Sequence, residues 1–272
     1  MEPLNFSDPR ALMARIGWRI RRMILRLEPK QFNEREFWLG MLALCEDWYD
    51  GKIEHLYGEP CPKPEQKVKK STKRLSALWT YHNVVERGTN HYVRNLLLPP
   101  DAFDGMKLLD VGCGPFGAPL CYTGCQIWGV DPLTGIYRRL GYPVDDWDDR
   151  MTYLDVSAEQ IPVADGFFDA VIAHNSIDHV DDLPKVAGEL KRVLKKGGII
   201  RMQVHYHEPQ SCEPWSIDDD LMEQLFGPFG IQKLSHLTLA EALPAFATRT
   251  DEFMTVWGNT DTVYRPGVPH NA

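Results

Sequence analysis

The pattern of apolar and polar residues changes character near residue 100. Before that point, apolar residues recur at helical spacing. Helices are predicted over residues 8–27, about 34–56 and about 75–97. Asn33 and Glu36 have the spacing of a capping box at the start of the second helix, and a proline-containing basic stretch after it indicates a linker. We therefore expect residues 1–100 to form a helical N-terminal extension that acts as a cap.

From Met106 onward, strand-like and helix-like stretches alternate. The strand-like apolar runs fall at 107–111, 126–130, 151–154, 168–173, 199–205, 231–237 and 253–258. Alternating β and α units predict an α/β fold with a doubly wound, mostly parallel, seven-stranded sheet and helices on both faces. The segment before the last strands leaves little room for a full crossover, so we expect a closing pair with one antiparallel strand. Residues 101–265 are predicted to form this ligand-binding domain.

A cluster of glycines follows the first predicted strand. In the stretch LLDVGCGPFG, Gly112, Gly114 and Gly117 stand where a nucleotide-like ligand approaches the backbone. A carboxylate at Asp110 would repel a pyrophosphate but suits a ligand with a positive amino group. Asp131 ends the next apolar run, QIWGVD, where an acid accepts hydrogen bonds from two ribose hydroxyls. S-adenosylmethionine (SAM) has the ribose and the cation, and it has no phosphates.

Residues 107–200 resemble a class I SAM-dependent methyltransferase of the small-molecule type, through several motifs in the same order. LLDVGCGPFG is similar to the family's first motif and GVDPL to its second. SAEQIPVADGFFDAVIAHNSIDHV is similar to the stretch that leads into the fourth strand, and ELKRVLKKGGII to the helix and turn before the fifth. The resemblance implies a Rossmann-like sheet, SAM as the cofactor and methyltransferase activity.

The resemblance also implies roles for residues at matching positions. The glycine turn would support the amino-acid moiety of SAM, with Asp110 near its ammonium, and Asp131 would hold the ribose. The expected cofactor residues are, for the amino-acid end, Asp110, Gly112, Gly114, Gly117, His174 and Asn175; for the ribose, Asp131; and for the adenine, Pro132 or Leu133, Ser157 and Ala158.

Two departures from the family pattern leave an alternative open. The third glycine, Gly117, falls one place later than usual, and Ser157 stands where an acid is common. These departures slightly favour a catalytically degenerate SAM-fold protein that serves as a partner subunit. An NAD(P)-dependent oxidoreductase is disfavoured, because Asp110 stands where a pyrophosphate would have to bind.

Histidines are the candidates for chemistry on the methyl acceptor. Methyl transfer to a hydroxyl requires a positioned acceptor and removal of its proton. His205 and His207 follow the fifth predicted domain strand, at the edge where open α/β sheets bind ligands, and His179 belongs to an Asp-His pair. Structural roles, as a strand-end histidine or a helix-start pair, are the alternatives. His205 and His207 could both face one metal, but no matching carboxylate pair is evident, so no metal is expected.

Charge and composition limit the partners and the location that the protein can have. A net charge of −8 argues against a general nucleic-acid partner. The six cysteines contain no CxxC pair, which favours reduced thiols in a cytosolic protein over a zinc site. No apolar run is long enough to span a bilayer, and a secretory signal is not supported. Composition thus favours a cytoplasmic protein, and the resemblance implies an enzyme that methylates a small molecule or glycoconjugate, at oxygen.

The first predicted helix leaves two interpretations open. Within residues 10–27, arginines lie opposite an apolar stripe. In one interpretation this helix makes peripheral contact with an anionic membrane or binds an acidic or lipid-linked acceptor. In the other, which we favour, the stripe packs on the second domain and the arginines are solvated. A mitochondrial presequence is disfavoured by Glu2 and Asp8.

Overall fold

The computed structural model describes residues 29–88, 91–242 and 251–264. The N-terminal extension contains helices α1 (Pro29–Tyr49), α2 (Lys73–Tyr81) and α3 (His91–Leu96), and a short hairpin of β1 (His55–Leu56) and β2 (Glu59–Pro60). A π-helical turn, His82–Glu86, continues α2. The predicted helix over 8–27 and both interpretations of it lie outside the described residues.

The helix boundaries in the extension differ from those predicted. Asn33 lies inside α1 and therefore does not cap it, and α1 ends at Tyr49 rather than near residue 56. Gly51, with φ of +74°, turns the chain there. The single helix predicted over 75–97 is interrupted, because the π-helical turn bonds Arg87 N to His82 O at 2.9 Å and Gly88 follows it.

Seven strands form the main sheet, as predicted. The five strands of the parallel part are β3 (Lys107–Val111), β4 (Gln126–Val130), β5 (Met151–Leu154), β6 (Phe168–His174) and β7 (Leu194–Tyr206). The two strands that complete the sheet are β8 (Gln232–Thr238) and β9 (Phe253–Gly258). Their order is β5-β4-β3-β6-β7-β9-β8, and β9 runs antiparallel to both of its neighbours. The central strand β6 is buried on both faces, which its apolar sequence FDAVIAH requires. The expected α/β class and the antiparallel strand are both confirmed.

Helices between the strands cover the sheet. They are α4 (Thr134–Leu140), α5 (Leu183–Val193), α6 (Asp219–Phe226) and α7 (Leu239–Ala242). Asp182 caps α5 by accepting a hydrogen bond from Lys185 N. A 3₁₀ turn, Ala118–Cys121, is the helical element between β3 and β4, so the first crossover is brief. Because strand order reverses between β3 and β6, their carboxyl ends form the crevice where α/β sheets bind ligands.

Two apolar layers hold the sheet between them. On one face, Leu42 and Leu78 of the extension share a core with Leu108 of β3. On the other face, α5 and α6 contribute a second core around Val186 and Met222. The extension therefore packs directly on the sheet, while the division near residue 100 into two domains stays a prediction. Among the described residues, no helix combines the length and the apolar character needed to cross a membrane.

Candidate functional site

The glycine turn lies at the carboxyl end of β3. Gly112 and Gly114 have φ of +69° and +57°, which glycine adopts without strain. A Cβ on Gly112 would lie 2.4 Å from Cβ of Ser176, so the turn after β6 packs directly on this backbone. Gly117 is farther along, where its amide donates to the hydroxyl of Tyr153 at 3.1 Å. Gly112 thus serves close packing within the protein, a role that the sequence did not indicate.

Asp110 is fully buried beneath this turn. Its Oδ2 accepts a hydrogen bond from the hydroxyl of Tyr92 at 3.1 Å. Its Oδ1 has no hydrogen-bond partner among the described residues. Burial raises the pKa of the Asp110 carboxyl well above its ordinary value, although the bond from Tyr92 lowers it. A cation at Oδ1 would both satisfy this oxygen and favour the ionised form.

Asp131 ends β4 beside the same turn. Its Oδ2 accepts from Gly114 N and from the hydroxyl of Tyr137, both at 3.1 Å. Its Oδ1 accepts from Leu133 N at 2.9 Å. Burial raises the pKa of Asp131 to about 6, while these hydrogen bonds act in the opposite direction. The carboxylate that should hold a ribose is therefore rigidly placed at the tip of its strand.

Helix α1 covers the glycine turn. The Trp38 indole, at Cη2, comes within 3.4 Å of where a Cβ on Gly114 would lie. Its ring makes edge contacts with the rings of Phe116 and Tyr137, at centroid distances of 5.9 and 5.6 Å. One turn earlier on α1, Glu34 Oε1 lies 3.5 Å from His179 Nδ1. The extension thus closes over the crevice from above.

The residues expected at the adenine differ in exposure. Pro132 and Ser157 are exposed, whereas Ala158 and Leu133 are buried. The Ser157 hydroxyl donates to the Glu159 carboxylate two residues farther along. Ser157 also lines a surface cavity of about 700 Å³ between the segment after β5 and α5. Contact between these residues and an adenine stays a prediction.

His174 is the last residue of β6 and Asn175 follows it, and the surroundings of the two side chains differ. His174 Nε2 lies 2.9 Å from Asn95 Nδ2, and its ring stacks on Tyr92 at 4.6 Å between centroids. Burial lowers the pKa of His174 to about 3, so its ring is neutral. Asn175 has φ of +48°, and its buried Oδ1 has no partner among the described residues. His174 therefore contacts the extension, whereas the Asn175 side chain can still accept a hydrogen bond at the crevice.

The three predicted catalytic histidines come together at one edge of the sheet. The rings of His205 and His207 are 4.5 Å apart between centroids. His179 and His207 are joined through Glu213, whose Oε1 lies 3.4 Å from His179 Nε2 and whose Oε2 lies 3.3 Å from His207 Nε2. These three histidines lie at one edge of the sheet, as their positions in the sequence predicted. Nothing in the sequence indicated that Glu213 would join them.

His207 is held by oxygen atoms on both sides of its ring. Nε2 lies 3.2 Å from Oδ2 of the buried Asp178, and Nδ1 lies 2.6 Å from the Glu208 carbonyl. Both ring nitrogens therefore act as donors, and the hydrogen bond to Asp178 chiefly raises the pKa of His207 to about 9. His207 is accordingly an imidazolium at neutral pH, with no lone pair to accept a proton.

His205 has a different environment. Its Nε2 lies 2.8 Å from Oε2 of Glu252. Burial and the neighbouring His207 lower the pKa of His205, although Glu252 acts in the opposite direction. His205 is therefore neutral at physiological pH, with Nε2–H directed at the carboxylate and Nδ1 left with its lone pair.

Asp178, His179 and Glu213 also meet the geometric condition for a metal site. Each offers a ligand atom, and these atoms lie within 4.8 Å of one another. His179 is paired with Glu213 and Asp178 Oδ2 with His207, whereas Asp178 Oδ1 has no hydrogen-bond partner among the described residues. For His179, burial acts to lower the pKa, but Glu34, Asp178 and Glu213 raise it. The expectation that no metal is bound stays a prediction.

Three contacting residues were missed by sequence reasoning. Glu252 reaches His205 because β9 pairs antiparallel with β7, with His205 opposite Met254. Glu213 approaches from the loop after β7, and Tyr92 comes from the extension, where no motif was found. All three depend on tertiary placement, so no local pattern in the sequence marks them.

Comparisons with known proteins agree with this geometry. Residues 109–202 match the family described as "Methyltransferase domain". The chain is 30% identical over 129 residues to a sterol 24-C-methyltransferase of Gibberella zeae, covering 44% of this chain and 32% of that protein. It is 30% identical over 166 residues to the mitochondrial ubiquinone biosynthesis O-methyltransferase of Rattus norvegicus, covering 57% of this chain and 42% of that protein. The chain thus spans less than half the length of these relatives.

A solved structure shows the same fold. The geranyl diphosphate methyltransferase, in complex with GPP and sinefungin, superposes with a TM-score of 0.53 at 18% sequence identity, covering 85% of this chain and 98% of that one. Residues 109–202 accordingly form a class I SAM-dependent methyltransferase domain, whose family cofactor is SAM. Asp110 Oδ1, which is buried and has no partner within the described part of the chain, fits the ammonium of that cofactor, and Asp131, directly after β4, fits its ribose.

Proposed function

We propose that this protein is a SAM-dependent methyltransferase that acts on a hydroxyl of a small molecule or glycoconjugate. The observation that carries the proposal is the pairing of two buried carboxylates, Asp110 and Asp131, around one glycine turn at the switch point of the sheet. An ammonium and a ribose separated by a sulfonium complement these two acids. A dinucleotide would instead bring its pyrophosphate against Asp110.

The chain supplies positioning and proton transfer. When bound, SAM provides an electrophilic methyl group. The chain holds its two ends through Asp110 and Asp131, and α1 covers the crevice. His205 Nδ1 would accept the proton that the acceptor hydroxyl must lose on methylation. Glu252, which accepts the Nε2–H at 2.8 Å, fixes the tautomer that leaves Nδ1 free.

A hydroxyl acceptor is supported by this His205–Glu252 pair. The names of the relatives include methylation at a sterol carbon and at an oxygen in ubiquinone biosynthesis. An oxygen acceptor must lose a proton, and a neutral histidine oriented by a carboxylate is suited to remove it. His207 and His179, whose ring nitrogens are already paired with oxygen atoms of the protein, would instead place positive charge beside the acceptor. A cytoplasmic location and a capping role for residues 1–100 belong to the same proposal.

A catalytically degenerate partner subunit is the second candidate. It is favoured by one observation: Trp38 packs against the glycine turn, and Asp131 already accepts three hydrogen bonds from its own chain. In that case the crevice would be filled by the protein itself.

Isothermal titration with S-adenosylhomocysteine (SAH), with NAD in parallel, separates the candidates. We expect binding of SAH, no binding of NAD, and loss of SAH binding in Asp131→Ala. Asp155→Ala is the matched control, because Asp155 is an exposed acid just after β5. Folded protein that binds no SAH would refute the enzyme and favour the partner subunit. SAH binding that survives in Asp131→Ala would refute the ribose assignment.

A further inference from the structure

A tyrosine of the helical extension contacts the acid that ends β3. The hydroxyl of Tyr92, on α3, donates to Asp110 Oδ2 at 3.1 Å. Both side chains are buried, at 4% and 0% exposure. The other carboxylate oxygen, Oδ1, is the one without a partner among the described residues. One oxygen of Asp110 is thus held by the extension, and the other is left for a donor that the described residues do not provide.

The Tyr92 hydroxyl is presented from a fixed position. Its ring stacks on His174 at 4.6 Å and an interplanar angle of 24°. Asn95, one turn farther along α3, bonds the same imidazole, and the Tyr122 hydroxyl donates to the Tyr92 carbonyl at 3.4 Å. Helix α3 is therefore attached to the ends of β3 and β6, the two strands that form the crevice.

The hydrogen bond from Tyr92 matters because ionising the buried Asp110 carboxyl without it would require more free energy. Burial and the nearby Asp131 favour its neutral form, whereas the Tyr92 hydrogen bond favours the carboxylate. Hydrogen bonds to a buried charged group are stronger than those between neutral groups. Removing the donor would leave both oxygens of Asp110 unpartnered and its orientation undetermined.

We propose that Tyr92 is a positioning residue for the cofactor: it orients the Asp110 carboxylate so that Oδ1 receives the ammonium of the amino-acid moiety of SAM. The inference rests on the proposed function and extends it, because it makes a residue of the extension part of cofactor recognition. The extension would then serve the cofactor as well as covering the crevice.

Two ligands and two matched variants test this role. SAH carries the amino-acid moiety, whereas 5′-methylthioadenosine keeps the adenosine and lacks the ammonium. By isothermal titration, Tyr92→Phe is expected to weaken SAH binding roughly tenfold and to leave 5′-methylthioadenosine binding unchanged. Tyr81→Phe, which removes the hydroxyl of an equally buried tyrosine that bonds to Glu86 rather than to Asp110, should change neither affinity.

The outcomes separate positioning from structural support. Equal weakening of both ligands by Tyr92→Phe would show that the hydroxyl merely supports the fold, and unchanged SAH binding would show that Asp110 does not need it; either result overturns the inference. Failure of the wild-type protein to bind SAH would instead refute the proposed function.

A double-mutant cycle separates the coupling between Tyr92 and Asp110 from any general loss of binding that Tyr92→Phe causes. In Asp110→Asn the charge that Tyr92 orients is gone, so adding Tyr92→Phe should weaken SAH binding by less than about twofold more. Independent, additive losses in the double variant would overturn the proposed coupling. Thermal unfolding of each variant, followed by circular dichroism, establishes that a folded protein is being titrated.

Discussion

His205 Nε2 lies 2.8 Å from Glu252 Oε2, which joins the end of β7 to the start of β9. The two strands are antiparallel neighbours, so the carboxylate approaches the imidazole from the side opposite β6. The contact fixes one tautomer of a neutral histidine. The same geometry orients general bases in many unrelated enzymes.

If His205 is the base, its removal should slow the chemical step without affecting cofactor binding. We expect His205→Ala to lower kcat about a hundredfold to ten-thousandfold and to leave SAH affinity unchanged. Glu252→Gln should have a smaller effect on kcat, since the amide can still contact the ring. Single-turnover methylation of a hydroxyl acceptor measures both. A wild-type rate in His205→Ala would assign the proton transfer elsewhere.

The ionisation of Asp131 should appear in cofactor binding. Burial raises its pKa to about 6, so the carboxylate that accepts ribose hydrogen bonds is protonated as the pH falls through that value. SAH affinity, measured by titration from pH 5 to 8, is therefore expected to decline below about pH 6. In Asp131→Asn this decline of SAH affinity at low pH should be absent, and SAH binding should be weak at every pH. An unchanged decline in the variant would show that another group is responsible.

His207 should link folding stability to pH. Its folded pKa of about 9 is raised above the ordinary 6.5, so its contribution is fully present below pH 6.5 and is lost as the pH rises toward 9. In urea unfolding, the free energy of unfolding of the wild type should decrease as the pH rises from 6.5 to about 9. The decrease should be smaller in His207→Asn. His55→Asn, at an exposed histidine in β1, is the control and should keep the wild-type slope. Equal slopes in all three proteins would contradict the pairing of His207 with Asp178.

Gly112 offers a test of close packing at the turn. Alanine there would combine a φ of +69° with a Cβ 2.4 Å from Cβ of Ser176. We expect Gly112→Ala to lower the free energy of unfolding by about 2–4 kcal/mol, from backbone strain and overpacking together. Gly58 has φ of +83° and open space around it, so Gly58→Ala tests backbone strain alone. This variant should lower the free energy of unfolding by about 1 kcal/mol. Equal losses in the two variants would show that Ser176 moves away freely.

The sequence predicted the catalytic domain far better than the extension. The seven strands were recognisable because each apolar run is short, separated by turn residues and buried by its neighbours. Asp110 and Asp131 were found because strand ends in a parallel sheet meet at one edge. In the extension, the π-helical turn after α2 and the residues that contact the crevice were missed. Those features depend on how Trp38 and Tyr92 contact the distant residues Gly114 and Asp110, which no local periodicity encodes.

The contact between Trp38 and the glycine turn predicts that cofactor entry requires α1 to move. The indole packs on Gly114 and among Phe116, Tyr137 and Tyr142, so a ligand approaching the turn must displace it. We expect Trp38→Ala to raise the association rate constant for SAH about tenfold, because a conformational step before binding slows association. Stopped-flow measurement against Phe37→Ala, a neighbour with 52% exposure that leaves the turn covered, makes the comparison specific. A slower or unchanged association in Trp38→Ala would mean that the cofactor reaches Asp110 and Asp131 without passing α1, and the cap would then act on the acceptor alone.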